Sequence, residues 1–255
     1  MGKKIIFSKD WFFDLDATLR AAGLDSDSES FDIILARLRN KDPLSSDEFA
    51  RQAIYVVLAG GFSQKTAKII HKKIMDFLAV SPQPIAAPEL IKLFNNKNKI
   101  NAVIEIWENK DKFRNGYYKI NEQLSISNEQ LLQKKLDYLS SLPHIGKITA
   151  NHLARNLGED IVKYDIWIQR LGALFNEQLA ISSEQLKDEI NNQQLAPKVK
   201  AACDEMFAHL VMETGLPRGY IDVVLWKACQ VGYINFNNGD KVAPEPKVQA
   251  DECEN

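Results

Sequence analysis

Apolar residues in this chain return every three or four positions and almost nowhere every second one, which leaves the α-helix as the regular element open to it. Ala150, Leu153, Ala154 and Leu157 share one helical face, as do Ile221, Val224, Leu225 and Ala228. With hardly any alternating stretch, the chain is expected to be all-α. At 255 residues it can bury a substantial core, as one large domain or two small lobes. Its 45% hydrophobic and 26% charged content is that of a soluble globular protein. No apolar run nears the ~20 residues that span a bilayer, and the apolar stretch at the N-terminus is too short for a signal peptide. The expectation is a cytoplasmic protein with no membrane partner, acting as a monomer.

Taken in order, residues 10–40 read as one or two helices around an acidic, serine-rich loop, GLDSDSES. After Asp42-Pro43, the stretch FARQAIYVVLAGG is apolar almost all round, the mark of a central buried helix. Beyond Gly60-Gly61 a helix is expected with Thr66, Ile69, Ile70, Ile74, Phe77 and Leu78 inward and lysines outward. SPQPIAAPEL reads as a connector to a lysine-rich helix ending at WEN, with Phe113, Tyr117 and Tyr118 in a loop beyond it. Further helices are expected over 127–141, 182–191, PKVKAACDEMFAHLVMETG and LPRGYIDVVLWKACQVGYI. Residues 237–255 have the composition of a disordered tail.

The most informative stretch is LSSLPHIGKITANHLARNLGEDIVKYDIWIQRL, 139–171. A residue before proline is pushed out of the helical region, so Leu142-Pro143 ends one helix. His144-Ile145-Gly146 then forms a tight turn, and helix resumes with Thr149 as a good N-cap type until Gly158 closes it. A glycine hairpin between two helices aims backbone N–H groups and a helix N-terminus at one point, which suits an anion. Phosphate fits, since Lys147 sits in the turn and Thr149 and Asn151 can donate to it. An ordinary αα-hairpin in a helical core has the same pattern. The sequel favours the anion site: Asp165 stands where an apolar helix begins, a place that keeps a partly desolvated carboxylate ionised.

LPHIGKITA followed by YDIWIQRL resembles the helix-hairpin-helix DNA glycosylases, the superfamily of endonuclease III and the 3-methyladenine glycosylases. Their pattern is L-P-G-h-G-x-K-T-A, then a loop, then D-x-h-h-x-R. The resemblance spans about 200 residues, strongly over 139–171 and loosely elsewhere. It implies two helical lobes, one over 45–150 carrying the hairpin, the other over 1–44 and 151–236 carrying the acid, with the two sites meeting at a cleft. The hairpin, His144, Gly146, Lys147 and Thr149, would grip the DNA backbone with Arg170, and Asp165 would be catalytic. Phe62, Ser63 or Gln64, with Gln64 favoured, would fill the gap left by an extruded nucleotide. Tyr164 and Trp107 would offer π-faces to the extruded base, whereas Trp167 and Trp226 sit in helical apolar patterns and rank lower. Two positions depart from the pattern: His144 replaces the first hairpin glycine, and Ile148 stands where bifunctional members carry a nucleophilic lysine. A one-residue shift turns a helical side chain by about a third of a turn, so Lys147 does not replace it. The resemblance therefore implies a monofunctional enzyme that hydrolyses the base–sugar bond, with double-stranded DNA bearing a damaged or modified base as partner and no cofactor.

Cys203, Cys229 and Cys253 are too dispersed for zinc or for the four-cysteine iron–sulfur cluster of some relatives, and the four histidines show no metal spacing. A net charge of −2 argues mildly against DNA, yet the acids cluster toward the ends while lysines crowd the middle. A non-catalytic DNA-binding module and an all-α protein-binding domain stay open as alternatives. Which base is removed, alkylated, oxidised, deaminated or phage-type, is not legible in helical patterns.

Overall fold

Serine side chains start most of the early helices. Ser8 accepts a hydrogen bond from Trp11 N–H at the head of α1 (Lys9–Ala21), and Ser30 from Ile33 N–H at α2 (Phe31–Asn40). Ser45 opens α3 (Ser46–Ala59) and Ser63 opens α4 (Gln64–Val80) in the same way. Each such cap satisfies an otherwise unpaired donor and is worth about 1 kcal/mol. The chain continues through α5 (Ala87–Leu93), α6 (Lys97–Glu108), α7 (Lys110–Lys119), α8 (Asn128–Ser140), α9 (Lys147–Asn156), α10 (Ile166–Gln178), α11 (Pro197–Thr214) and α12 (Arg218–Gln230). The computed structural model describes residues 5–122, 127–178, 196–235 and 241–242. Among the described residues the only strands are Ile234–Asn235 and Lys241–Val242, paired antiparallel, so the architecture is all-α as expected.

Two compact units divide the chain, residues 27–163 in one and 1–26 with 164–255 in the other. In the 27–163 unit α3 is the central rod: from Phe49 to Leu58 every residue but Arg51 is buried, and α4, α6, α7 and α9 pack around it. The second unit packs α10 against α11 and α12, with α1 against the latter two. These divisions do not fall where the resemblance implied. α2 and α9 lie in the 27–163 unit, because α9 packs on α8 and α3 and the Arg37 guanidinium of α2 donates to Asn156 O at 2.7 Å. The unit holds 20 Lys and Arg against 16 Asp and Glu, a formal +4 in a chain whose total is −2. Among the described residues no helix is long and apolar enough to cross a membrane.

Several local expectations are corrected. The lysine-rich helix is two helices, broken at Phe94–Asn96, where Asn96 Oδ1 caps Lys99 N–H at 3.1 Å. Phe113, Tyr117 and Tyr118 lie in helix α7 rather than in a loop, and Tyr117 is fully buried. Gly116 disguised that helix; its missing side chain makes room for Tyr138, whose Oη would stand 2.2 Å from a Cβ there. On α4 the buried face is Ala67, Ile74, Met75 and Leu78, whereas Thr66 and Ile69 face solvent. The helix read over 182–191 and almost all of the tail over 237–255 lie outside the described residues.

Candidate functional site

α8 ends at Ser140, and the chain turns through Leu142 and Pro143 into His144, whose φ of 59° lies in the left-handed region. Histidine therefore adopts the conformation for which glycine is the usual choice, at a cost of roughly 1–2 kcal/mol. Ile145 turns inward, its N–H reaching Leu142 O at 3.1 Å, and its side chain is buried in the 27–163 core. Gly146, rather than Thr149, is the N-cap, and α9 begins three residues earlier than the N-cap preference suggested. Thr149 Oγ1 accepts from Gly146 N–H at 2.8 Å and donates to Gly146 O at 2.9 Å. Its hydroxyl thus shapes the turn. The backbone N–H groups of Lys147 and Ile148 precede the first intrahelical bond, Ala150 N–H to Gly146 O, and lie at the helix's positive end. Lys147 is exposed beside them, as is His144. Ile148 is 61% exposed, an apolar side chain left in solvent on the first turn.

In the other unit Asp165 caps α10. Its Oδ1 accepts from Trp167 N–H at 3.0 Å and from Ile168 N–H at 3.3 Å, while its carbonyl takes Gln169 N–H at 2.9 Å. The residue is half-buried. Its charge is felt nearby: burial first, and then Asp165, push the Cys229 thiol up. Gln169 Nε2 donates to Tyr164 O at 2.9 Å and so fixes the backbone just before the acid. Arg170, one turn along, holds its guanidinium 5.3 Å from the Trp167 ring centre.

The remaining expected site residues are engaged elsewhere. Tyr164 donates its hydroxyl to Asp204, and Lys200 Nζ sits 5.2 Å from its ring centre; burial, with that carboxylate, pushes its pKa up. Its ring is already partnered, which leaves less of it for a base. Trp107 is a core residue, buried on the same face of α6 as Ile100 and Val103, and Lys110 Nζ covers its ring at 4.0 Å. It is removed from the base-stacking set. Gln64, the first residue of α4, is half-buried and donates Nε2 to Asp27 Oδ1 at 3.3 Å, whereas Phe62 on the double-glycine turn is 42% exposed. Beneath that turn, buried Lys99 donates Nζ to Leu58 O at 3.2 Å and to Gly60 O, and lies 5.0 Å from the Phe62 ring centre. Burial pulls its pKa down.

Sequence reasoning missed Asp27, read only as one acid of the acidic, serine-rich loop GLDSDSES. It is 3% exposed and gathers Arg155 at 2.5 Å, His152 Nε2 at 3.4 Å, the Tyr55 hydroxyl at 3.4 Å and Gln64. Burial pushes its carboxyl up, but the facing His152 and the charge of Arg155 outweigh that and hold it ionised, below the usual carboxylate range. The only available signal was His152 and Arg155 at i and i+3 on the buried face of α9, polar residues that needed a partner. Burial lowers His152 to about 4, and His71 to about 4 as well. Because these folded-state values lie below the unfolded 6.5, the unfolded chain takes up the protons first as pH falls. The associated stability is complete above about 6.5 and is lost down to about 4. Denaturant unfolding at pH 5 is therefore expected to report a chain less stable than at pH 7.5 by about 2 kcal/mol for each histidine. Equal stability at the two pH values would contradict this reading.

No family model and no curated protein matches this chain. Solved structures do. The Methanocaldococcus jannaschii 8-oxoguanine DNA glycosylase aligns with 88% of this chain and 93% of its own, at 18% identity and a TM-score of 0.56. The 8-oxoguanine glycosylase/lyase of the same organism, in complex with a 15mer DNA containing 8-oxoguanine, aligns with 91% of this chain and 97% of its own, at 19% identity and a TM-score of 0.55. The chain thus shares the all-α fold of these two solved structures.

Proposed function

We propose that the protein is a DNA glycosylase that removes a modified base from double-stranded DNA by hydrolysis. The observation that carries this reading is Asp165, a half-buried carboxylate held at the head of α10 by two backbone N–H groups. Breaking the C1′–N bond passes through a sugar with oxocarbenium character, so a fixed negative charge beside C1′ stabilises the transition state more than the ground state. Water supplies the oxygen that bonds to C1′, and the carboxylate accepts its proton. The bonding pair leaves on the base, which takes up a proton in turn, and the products are free base and an abasic site. The hairpin at 144–147, with exposed Lys147 at a helix N-terminus, is the phosphate grip, and it sits in the unit with the positive formal charge. Extruding the base costs a few kcal/mol, least for a damaged or mispaired one.

The structural neighbours named above act on 8-oxoguanine, which puts that base first among the candidates. The test is release of free base, read by mass spectrometry, from duplexes each carrying one lesion, with 8-oxoguanine, an alkylated purine and uracil in the panel. No release from any of them would leave the second reading, a non-catalytic DNA binder. That reading has an observation in its favour, since the hydrogen bonds of Asp165 Oδ1 are also those of an ordinary helix cap.

One neighbour is a glycosylase/lyase, yet the first turn of α9 in this chain presents Ile148. The proposal is that this protein cleaves the base without cutting the strand. Borohydride added during turnover is expected to trap no covalent DNA adduct. Efficient trapping, abolished by Lys147→Ala, would show instead that Lys147 serves as the nucleophile.

A further inference from the structure

Asp27 makes contacts out of proportion to its place in a short polar loop. Its Oδ2 meets Arg155 at 2.5 Å and lies 3.4 Å from His152 Nε2, both on the inner face of the hairpin's second helix, α9. Its Oδ1 accepts from Gln64 Nε2 at 3.3 Å, at the first residue of α4, and from the Tyr55 hydroxyl at 3.4 Å, on central α3. One buried carboxylate thereby joins the first turn of α4 to the second half of α9 through the rod between them. All of these residues lie within the 27–163 unit.

We propose that Asp27 is a positioning residue for DNA binding, one that sets the first turn of α4, through Gln64, at a fixed spacing from the helix that starts in the phosphate-gripping hairpin. The proposal rests on the reading of that hairpin as a DNA grip. Its physical basis is rigidity. An ion pair removed from water holds its geometry far better than exposed lysines can, because leaving either charge unpaired in the interior is strongly unfavourable. Both Arg155 and Asp27 are almost wholly buried. Gln64 is only half-buried, so it can be held from within and still present part of its side chain at the surface. A phosphate contact beside the hairpin then meets a groove edge already in register, and the ordering cost is not incurred at binding.

The experiment uses the full chain, fluorescence anisotropy and a duplex carrying a tetrahydrofuran abasic-site analogue, at low salt and well below the melting temperature. Asp27→Leu/Arg155→Met replaces the buried pair with apolar residues of similar volume, an exchange that often leaves stability intact. Folded, it is expected to bind the duplex about tenfold more weakly than the native chain, a loss matched by Gln64→Ala alone. Adding Gln64→Ala to the double variant should change affinity by less than about twofold, since the first turn of α4 has already lost its anchor. Native affinity in the folded double variant, or losses that simply multiply, would overturn the proposal. If the double variant does not fold, Gln64→Ala and Gln64→Glu decide: the second places a like charge against Asp27 and must bind more weakly than the first, and native affinity in both overturns the idea. A native chain that fails to bind the duplex at all would instead bring down the functional reading, which separates the two failures.

Discussion

Asp165→Asn is expected to lower the rate of base release by about a thousandfold or more while leaving duplex affinity within a fewfold of native. The magnitude follows from what the substitution removes. A positioned proton acceptor contributes about 10²–10⁴ in rate, and electrostatic stabilisation of a developing charge about as much again. What it keeps matters equally. Asn is as good an N-cap as Asp, and its amide oxygen can still accept from Trp167 N–H and Ile168 N–H, so α10 and the unit around it should hold. Only the charge is lost. Any change in affinity is expected to be a rise, since a negative charge facing DNA is gone. Single-turnover release from the lesion duplex that the native chain cleaves, paired with anisotropy on the same duplex, checks both halves. Unaltered release would end the catalytic assignment and leave Asp165 a helix cap.

Gly172→Ala is expected to destabilise the chain by about 3 kcal/mol, at the upper end for adding one methyl to a packed interface. A Cβ at Gly172 would lie 2.6 Å from Cys203 Sγ, 2.9 Å from Cys203 N and 3.0 Å from its Cα, where α10 crosses α11. Sulfur could move. Backbone could not, so Gly172→Ala should remain destabilised in a Cys203→Ala background. Gly116→Ala offers the contrast, because the obstruction there is the Tyr138 ring, a side chain that Tyr138→Leu removes. Thermal melts should show Gly172→Ala lowered by roughly 6–12 °C for a chain of this size. A shift under a degree would mean that α10 and α11 are not packed as closely as described.

Both predictions depend on features of unequal legibility. Asp165 at a helix start could be read directly from YDIWIQRL, because an acid before a periodic apolar run is a local signal. The hairpin could be read too, since Pro143 must break a helix and Gly146 lets the next begin. The register of its cap could not. Thr149 and Gly146 are both plausible caps, and their mutual hydrogen bonds decide for Gly146. α3 was recognisable because its apolar residues run all round, which only a buried helix tolerates. Trp107 was misassigned for the opposite reason: one aromatic ring on an apolar face has the same periodicity whether it meets a ligand or the core. α7 escaped notice because Gly116 weakens a helix in isolation and strengthens this one by admitting Tyr138.

By itself, then, the sequence determined the helical class, the central rod, the proline-and-glycine turn and the acid at the head of α10, all of which rest on interactions between residues a few positions apart. Only the tertiary structure decided which polar side chains are buried together. Asp27 and Arg155 are separated by 128 positions and share no local pattern, yet they form the buried ion pair from which Gln64 and His152 take their places. The physical reason is that a buried charge needs a partner close in space, and nothing in local periodicity records how far away along the chain that partner lies.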